Sequence, residues 1–592
     1  MVKPLGGCKG ITFILQSINF KFTLEQKNMR KRGYLLLKAS LVMVMLTAQV
    51  AKAQQWGNYT LYAPQNGTTA TMIDTTGATY HTWSFATQTA YATYLIQGGT
   101  LLRSVKKSGV SFSGGPISGE FQKLDWNGNI LWDYSYSSTL HCSHHDILAM
   151  PNGNVMMIAY DRKTAAEVTA AGCTYNSEMW PESLVEVQQT GPTTGTIVWE
   201  WHLWDHLVQS VNASAANYQS SIVNHPELYN INFNLAKDFM HMNGIDFDPI
   251  RNQICFSSHM LNEMYVIDHS TTTAEAASHS GGHSGKGGDF LYRYGNPSAY
   301  QASGSTVLNV VHDAHFIPEG VPNAGYLVGF VNNGVSMTQS SVDQVSTPKN
   351  GYNYNHTAGL AYTPSNYTLR HACNGHTSNQ GNAQQLPNGN TLVCMAFLGS
   401  IYEVNSAGTT IWTVTPGGTL VHAYRFDDCY INHAAPALPT ITASSTDLTS
   451  STGTTYQWFL NGEQIAGATS QTYTPSVSGI YLVRITDVNG CAYYYSNDVT
   501  FTMGSTIGIA ENEKNKNISL YPNPTTGILY MDNELLNGGN FEVNVYDVYG
   551  KLVMKEKNPS SIDLNGYDNG IYFVSIVSEK LGSVNRKINL IK

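Results

Sequence analysis

One phrase recurs through the body of this chain and limits what it can fold into: a strand, a polar turn holding glycine, then a strand carrying an aromatic residue. It reads IDTTGATYHTW at 73–83, LDWNGNILWDY at 124–134, QQTGPTTGTIVWEW at 188–201 and EVNSAGTTIWTV at 403–414. Degenerate copies begin at 266 (VIDHSTTTAEAA) and 341 (SVDQVSTPKNGYNY), giving about six in all. A second phrase runs from a polar loop through an apolar strand to Pro and Gly and into another strand. It appears as HHDILAMPNGNVMMI (144–158), HDAHFIPEGVPNAGYLVGF (312–330) and QGNAQQLPNGNTLVCM (380–395). Alternating β-branched and aromatic residues between Asn-Gly turns are hairpin signals. A repeat of two hairpins every 50–80 residues reads as a propeller blade, because radial closure leaves no long sheet edge bare. The expected fold class is all-β: a six-bladed β-propeller followed by two small β-sandwich domains.

Composition agrees with an exported all-β protein. Charged residues are only 12% of 592, while Gly numbers 53, Tyr 36 and Trp 10. The surface must then be built from Thr, Ser, Asn, Gln and Tyr. The net charge of −9, with no basic block, argues against a nucleic-acid partner. From Met29 the chain has a basic start, an apolar run from Leu35 to Val50 and a small-x-small site, Ala51-Lys52-Ala53, before Gln54. That is the pattern of a signal peptide. Residues 1–53 are therefore expected to be leader and signal peptide, with 1–28 upstream of the true start, and no transmembrane segment in the mature chain. After removal of Cys8 seven cysteines remain, an odd number, so at least one thiol stays free.

The propeller is expected over 54–435. APALPTITASSTDLTS (435–450) is a linker, and the following segment, with Trp458 and a late Gly-x-Tyr-x-Val strand, resembles a bacterial immunoglobulin-like module over 436–505. ENEKNKN (511–517) is a second linker within 506–592. Beyond it YPNPTTGILY, VNVYDVYGKLV, IDLNGYDNGIYFVSI and the terminal RKINLIK resemble the C-terminal sorting domain of type IX secretion substrates. That resemblance implies export through the periplasm and outer membrane by the type IX machinery, then a secreted or surface location with the domain removed.

Histidine carries the chemical signal. His145 and His312 each stand six residues before a proline (Pro151, Pro318) and are each followed by Asp. In a propeller, equivalent loops point to one end of the channel, so such residues converge. His241 opens a similar unit, DFMHMNGIDFDP. This phrase, with FSSHMLNEMYVIDH, HHDILAMPNGN and AQQLPNGNTLVC, resembles the arylsulfate sulfotransferase family over residues 60–430. The resemblance implies a six-bladed propeller that moves a sulfuryl group from a phenolic sulfate donor to a phenolic acceptor through a covalent histidine. It implies no nucleotide sulfate donor, no cofactor and no metal. His241 and His312 then match the sulfuryl-binding histidines, and a nucleophile is expected from a later blade. His376 takes that role here, with His422 in VHAYRF the other candidate, while Gln380 stands nearer the expected position. No arginine follows the VHDAH strand, so Arg425 or Arg293 is expected to supply the cation. The expected catalytic set is His241, His312 and His376, with His145, His422 and Arg425 as substrate-binding residues.

The chemistry suits imidazoles. Sulfuryl transfer, like phosphoryl transfer, spreads charge over three equatorial oxygens between in-line donor and acceptor. It needs a nucleophile, donors aimed at those oxygens and an acid for the leaving phenolate. HCSHH (141–145) has a zinc-like density of histidine but few other ligands nearby. SHSGGHSGKGG (278–288) reads as a flexible surface loop, and Asp246 and Asp248 as turn caps. A non-catalytic propeller binding glycan or protein, with the immunoglobulin-like module as spacer, and a metal-dependent hydrolase using HCSHH are the competing readings.

Overall fold

The computed structural model describes residues 55–503, 519–531, 540–578 and 582–592. The signal-peptide segment and the 511–517 linker lie outside them. Six four-stranded antiparallel sheets follow one another from Tyr59 to Phe426. From the axis outward, blade 2 is Thr89–Ile96, Thr100–Lys106, Gly119–Leu124 and Ile130–Ser135. Blade 3 is His141–Ala149, Val155–Asp161, Glu182–Gln189 and Gly195–His202. Blade 4 is Met242–Asp248, Gln253–Ser258, Glu263–Asp268 and Tyr292–Tyr294; blade 5 is Val311–Phe316, Leu327–Ser336, Gln339–Val345 and Leu369–Ala372. Blade 6 is Asn382–Gln385, Thr391–Met395, Ser400–Val404 and Thr410–Val414. Blade 1 closes the ring: its inner strand, Leu420–Phe426, comes from the end of the propeller and pairs with Tyr59–Pro64, ahead of Thr69–Asp74 and Thr79–Ser84.

The recurring phrase is the outer hairpin of each blade. Its Asp or Asn gathers the turn amides: Asp74 Oδ1 accepts from Thr76 N and Ala78 N, and Asn405 Oδ1 from Ala407 N and Thr409 N. Its glycine takes the left-handed backbone that closes the turn (Gly77 φ 87°, Gly408 φ 78°). Its tryptophan reaches the next blade. Trp83 Nε1 donates to Asp125 O, Trp132 Nε1 to Thr194 O and Trp412 Nε1 to Thr75 O, at 2.9–3.1 Å. Each accepting carbonyl lies in or beside the glycine turn of the neighbouring blade, so one residue type fills the interface and pins the adjacent turn. The two degenerate copies are the blades where this hairpin is opened by insertions, 269–291 in blade 4 and 346–368 in blade 5. The 278–288 stretch is tied down, with His283 N donating to Ser270 Oγ and Ser284 N to Asp268 Oδ2.

Inner strands are joined by a second repeated device. Asp146 accepts from Ile245 N, Asp246 from Phe316 N, Asp313 from Ala383 N and Asn382 from Ala423 N, at 2.8–3.2 Å. A polar side chain of one blade thus satisfies an inner-strand amide of the next, from blade 3 round to blade 1. This explains the aspartate after His145 and His312. It also corrects the reading of Asp246, which clasps blades. Asp248 does cap a turn, accepting from Ile250 N and Arg251 N.

Beyond Ile431, eight short strands from Ile441 to Phe501 form two sheets around buried Trp458, Tyr481 and Val483. They pack on the propeller face away from His241 and His312: Ile250 meets Phe459, Leu482 and Tyr495. Arg251 pairs with Glu463 and Arg484 with Glu319, both at 2.9 Å. A disulfide, Cys429–Cys491, fastens this unit to the helix after the closing strand, and the other described cysteines are free and buried. The last unit is a pair of sheets, Leu520–Tyr521, Ile528–Met531 and Ser561–Asp563 against Phe541–Tyr546, Leu552–Lys557, Gly570–Ser578 and Gly582–Leu590. Its core includes Leu529, Val543, Val574 and Ile588.

Candidate active site

The inner strands begin irregularly. Pairing register breaks between Ser143 and Ile147, Met242 and Gly244, and His312 and His315. His145, His241 and Gln380 have left-handed backbone, φ 47°, 53° and 59°. Bulges of this kind re-aim side chains, and left-handed non-glycine residues cost on the order of 1 kcal/mol each. Here they turn side chains of several blades toward one end of the channel.

The result is a crescent of four imidazoles. Ring centroids step from His145 to His241 at 4.6 Å, His241 to His259 at 5.3 Å and His259 to His312 at 5.5 Å. Each ring is oriented by a partner behind it. His241 Nδ1 lies 2.6 Å from Asp238 Oδ2, which also accepts from Tyr160 Oη. His312 Nδ1 lies 2.7 Å from Asn332 Oδ1, and His259 Nε2 3.0 Å from Asn379 Oδ1. His145 Nδ1 meets His144 Nδ1 at 2.7 Å, and His144 Nε2 meets Glu182 Oε2 at 2.7 Å. Across the front, Gly115 has no room for a side chain: a Cβ there would sit 2.4 Å from His145 Cε1 and 2.6 Å from His241 Cε1.

Electrostatics divides the crescent. Burial, reinforced by neighbouring imidazoles, holds His145 and His312 well below the ordinary histidine range, and burial lowers His259. At His241 burial also opposes charge, but the hydrogen bond and charge of Asp238 outweigh it and raise the pKa. The site therefore sets neutral, nucleophile-competent rings beside one poised to be cationic.

Of the residues expected from sequence, His145, His241 and His312 are brought together. His422 lies deeper: Tyr91 is 5.0 Å from His145 and 5.2 Å from His422 between ring centroids. Neither ring nitrogen of His422 has a partner among the described residues, and burial lowers it to about 4. His376 stands outside the crescent, with Nε2 2.9 Å from Asn333 Oδ1. Gln380 holds the place beside His312 instead, its backbone N–H 3.3 Å from His312 Nε2 and its Nε2 3.2 Å from Gln65 Oε1. Arg425 lies between blades 6 and 1, bonded to Glu403 at 3.0 Å and Thr60 at 2.7 Å, and Arg293 is fully buried on Glu263. The Arg293 guanidinium is spent on the scaffold, and that of Arg425 is held between blades by Nε and Nη1, its Nη2 buried without a partner among the described residues. HCSHH does not converge: His141 stacks on Tyr136 at 4.2 Å, His144 faces Glu182 and only His145 reaches the mouth. A cleft of about 450 Å³ opens beside the crescent, lined by Gln65, Lys106, Lys107, Val110, Gly115 and Pro116.

The model of the arylsulfotransferase (ASST) family matches residues 38–427. The chain belongs to the arylsulfotransferase family. The matched segment takes in all six blades and the crescent, and a second family model, the secretion system C-terminal sorting domain, matches 519–591. This member of the family thus carries a type IX sorting domain and is secreted or held at the cell surface. No curated protein matches the chain significantly. Among solved structures, a Bacteroides caccae protein of unknown function is 10% identical at a TM-score of 0.36, covering 62% of this chain and 98% of its own. The hydrazine synthase of Kuenenia stuttgartiensis is 10% identical at 0.29, covering 48% and 68%. The Cps50 (Swd1) β-propeller domain of Myceliophteria thermophila is 8% identical at 0.28, covering 62% and 88%. The propeller assignment rests on the sheets themselves. Among the described residues no helix of the chain is long and apolar enough to cross a membrane.

Proposed function

We propose that the protein is a secreted aryl-sulfate sulfotransferase that moves a sulfuryl group between phenols through a histidine-bound intermediate at the channel mouth. The observation that carries this reading is the crescent itself: four imidazoles, each oriented from behind, stepping at 4.6–5.5 Å around one opening. Cationic His241 donates to the sulfuryl oxygens as charge develops there. A neutral ring of the crescent accepts the group, rather than His376, which stands outside the crescent on Asn333. The cleft beside the crescent receives the aryl sulfate, and Lys106 on its wall, whose Nζ bonds the neutral Asn66 Oδ1 at 2.7 Å, supplies positive charge, whereas Lys107 is paired with Glu120. Exported protein begins near Gln54, and the sorting domain is removed on secretion.

Gln380 favours a second reading, in which the mouth binds an aryl sulfate or sulfated glycan without turnover. An amide beside His312 cannot carry a sulfuryl group. Incubation with p-nitrophenyl sulfate, with and without phenol, separates the two. The transferase releases p-nitrophenol faster when phenol is present and gains about 80 Da when it is absent, the mass of a covalently held SO3 group. Tight binding with no p-nitrophenol release leaves the binding reading in place.

A further inference from the structure

His145 is backed by a chain of short hydrogen bonds that leads away from the mouth into the blade. Glu182, on the third strand of blade 3, has no exposed surface; its Oε1 accepts from Met242 N at 2.8 Å and its Oε2 meets His144 Nε2 at 2.7 Å. His144 is equally buried and stacked on Tyr160, centroids 3.7 Å apart, which leaves it no second position. Its Nδ1 meets His145 Nδ1 at 2.7 Å. His145 Nε2, the far end of the chain, has no hydrogen-bond partner among the described residues, beside the ring of His241. Two imidazoles joined Nδ1 to Nδ1 must have opposite tautomers, one donating and one accepting. The whole chain therefore has two arrangements, which differ by one proton and by the direction of every bond in it.

We propose that Glu182, His144 and His145 form a proton relay that delivers a proton to the departing phenolate and recovers one from the incoming phenol; this rests on the sulfuryl-transfer reading above. At rest the proton is on Glu182 Oε2, His144 carries its hydrogen on Nδ1 and His145 on Nε2. When the donor's S–O bond breaks, its electron pair leaves on the phenolate oxygen, which takes the proton from His145 Nε2. His144 Nδ1–H then passes to His145 Nδ1 and the Glu182 proton to His144 Nε2, leaving Glu182 as carboxylate. In the second half, the acceptor phenol attacks sulfur and the bond to the carrier breaks, its electron pair returning to the carrier. The phenol's proton enters at His145 Nε2, and the chain reverts. No proton is lost to solvent and no co-reactant is consumed. The resting arrangement agrees with burial, which drives Glu182 well above the ordinary carboxyl range with the charge of Asp238 beside it, and which, against the pull of Asp238, lowers His144 to about 3. Glu182 and His144 act through His145 and are positioning residues.

Glu182→Gln tests the relay sharply. Met242 N–H needs the amide oxygen, so the amide N–H2 must face His144 Nε2, which fixes the resting tautomers but can neither release nor recover a proton. At a fixed acceptor, kcat/KM for the donor reports the first half-reaction. The relay predicts that E182Q lowers it about 100- to 1000-fold for phenyl sulfate, whose phenolate needs a proton to leave. The loss for p-nitrophenyl sulfate, whose phenolate is a stable anion, should be at least about 10-fold smaller, since general-acid catalysis follows leaving-group basicity. Equal losses for both donors, or none, overturn the relay. Neutron diffraction of the unsubstituted protein tests it independently of folding or turnover in the variant. Hydrogens on Glu182 Oε2, His144 Nδ1 and His145 Nε2 support it; an ionised Glu182 with hydrogen on His144 Nε2 overturns it. Protein with the expected hydrogens that transfers from no aryl sulfate leaves the relay arrangement standing and overturns the transferase reading.

Discussion

The two ends of the channel are made by the same inner strands and finished in opposite ways. At the mouth, His145 and His241 sit in left-handed backbone with Nε2 atoms that have no partner among the described residues. Seven residues or so further along, the same strands run into turns where Asp248 is saturated by Ile250 N and Arg251 N, and Arg251 and Glu319 are paired across to the second unit. One end concentrates backbone strain and unpaired nitrogens; the other concentrates satisfied hydrogen bonds, apolar contact and a disulfide. The difference teaches that stability in this propeller is gathered at the far face, which lets the mouth keep an arrangement poor for folding and useful for an oxyanion.

If that division holds, changes at the mouth should alter turnover with little effect on melting, and changes at the far face the reverse. The largest effect is expected at His241→Asn, which removes the Asp238-backed imidazole. Turnover of p-nitrophenyl sulfate should fall about 100- to 1000-fold, the loss seen when an oxyanion donor is removed, with an almost unchanged melting temperature. Next, replacing both Cys429 and Cys491 by Ser removes a link closing 62 residues of chain. Denaturant titration should show a loss of about 2–4 kcal/mol, while kcat per folded molecule stays within twofold.

Gly115→Ala should follow, because its Cβ would fall within 2.6 Å of two catalytic rings. Displacing them by about 1 Å should cost on the order of 100-fold in kcat, and a crystal structure of the variant should show His145 and His241 moved apart. The smallest effect is on pH. Burial raises Asp146 from 3.8 to about 8, and at His315 the neighbouring Asp313 outweighs burial and raises it from 6.5 to about 9. Each folded value lies above its unfolded one. Each group therefore contributes stability that is full below the unfolded pKa and lost as pH rises through the folded one. Melting temperature should decline between about pH 4 and 9, Asp146 contributing below about 8 and His315 between about 6.5 and 9, and Asp146→Asn should flatten the decline below about pH 6.5.

The outer hairpins of blades 1, 2 and 6 were legible in sequence because each turn is satisfied by its own Asp or Asn and its own left-handed glycine. That is local chemistry, written within five residues. The matched positions of His145 and His312 were legible for the same reason: the aspartate after each is a blade clasp, one of four that join the inner strands from blade 3 round to blade 1. What sequence spacing could not give was partnership across blades. His376 and Gln380 lie four residues apart in one loop, and only the register of blade 6 against blade 5 puts Gln380 beside His312 and His376 on Asn333. His259 begins a tight turn after the second strand of blade 4, inside a quoted motif but without a matching position in another phrase. Glu182 is 38 residues from His144, and nothing in its own segment sets it apart from a strand carboxylate. Arg425 was read as a cation for substrate because its ion pair with Glu403 is likewise made between distant strands.

The central claim is that the sulfuryl group is carried at the crescent. Its most direct measurement is a rapid quench of the protein with p-nitrophenyl sulfate and no acceptor, followed by peptide mapping under conditions that preserve N-sulfohistidine. An adduct of about 80 Da, the mass of covalently held SO3, is expected on His259 or His312, the neutral rings that neither donate to the sulfuryl oxygens nor end the proton relay. Turnover with the adduct on His376, or turnover with no adduct on any histidine, would contradict it.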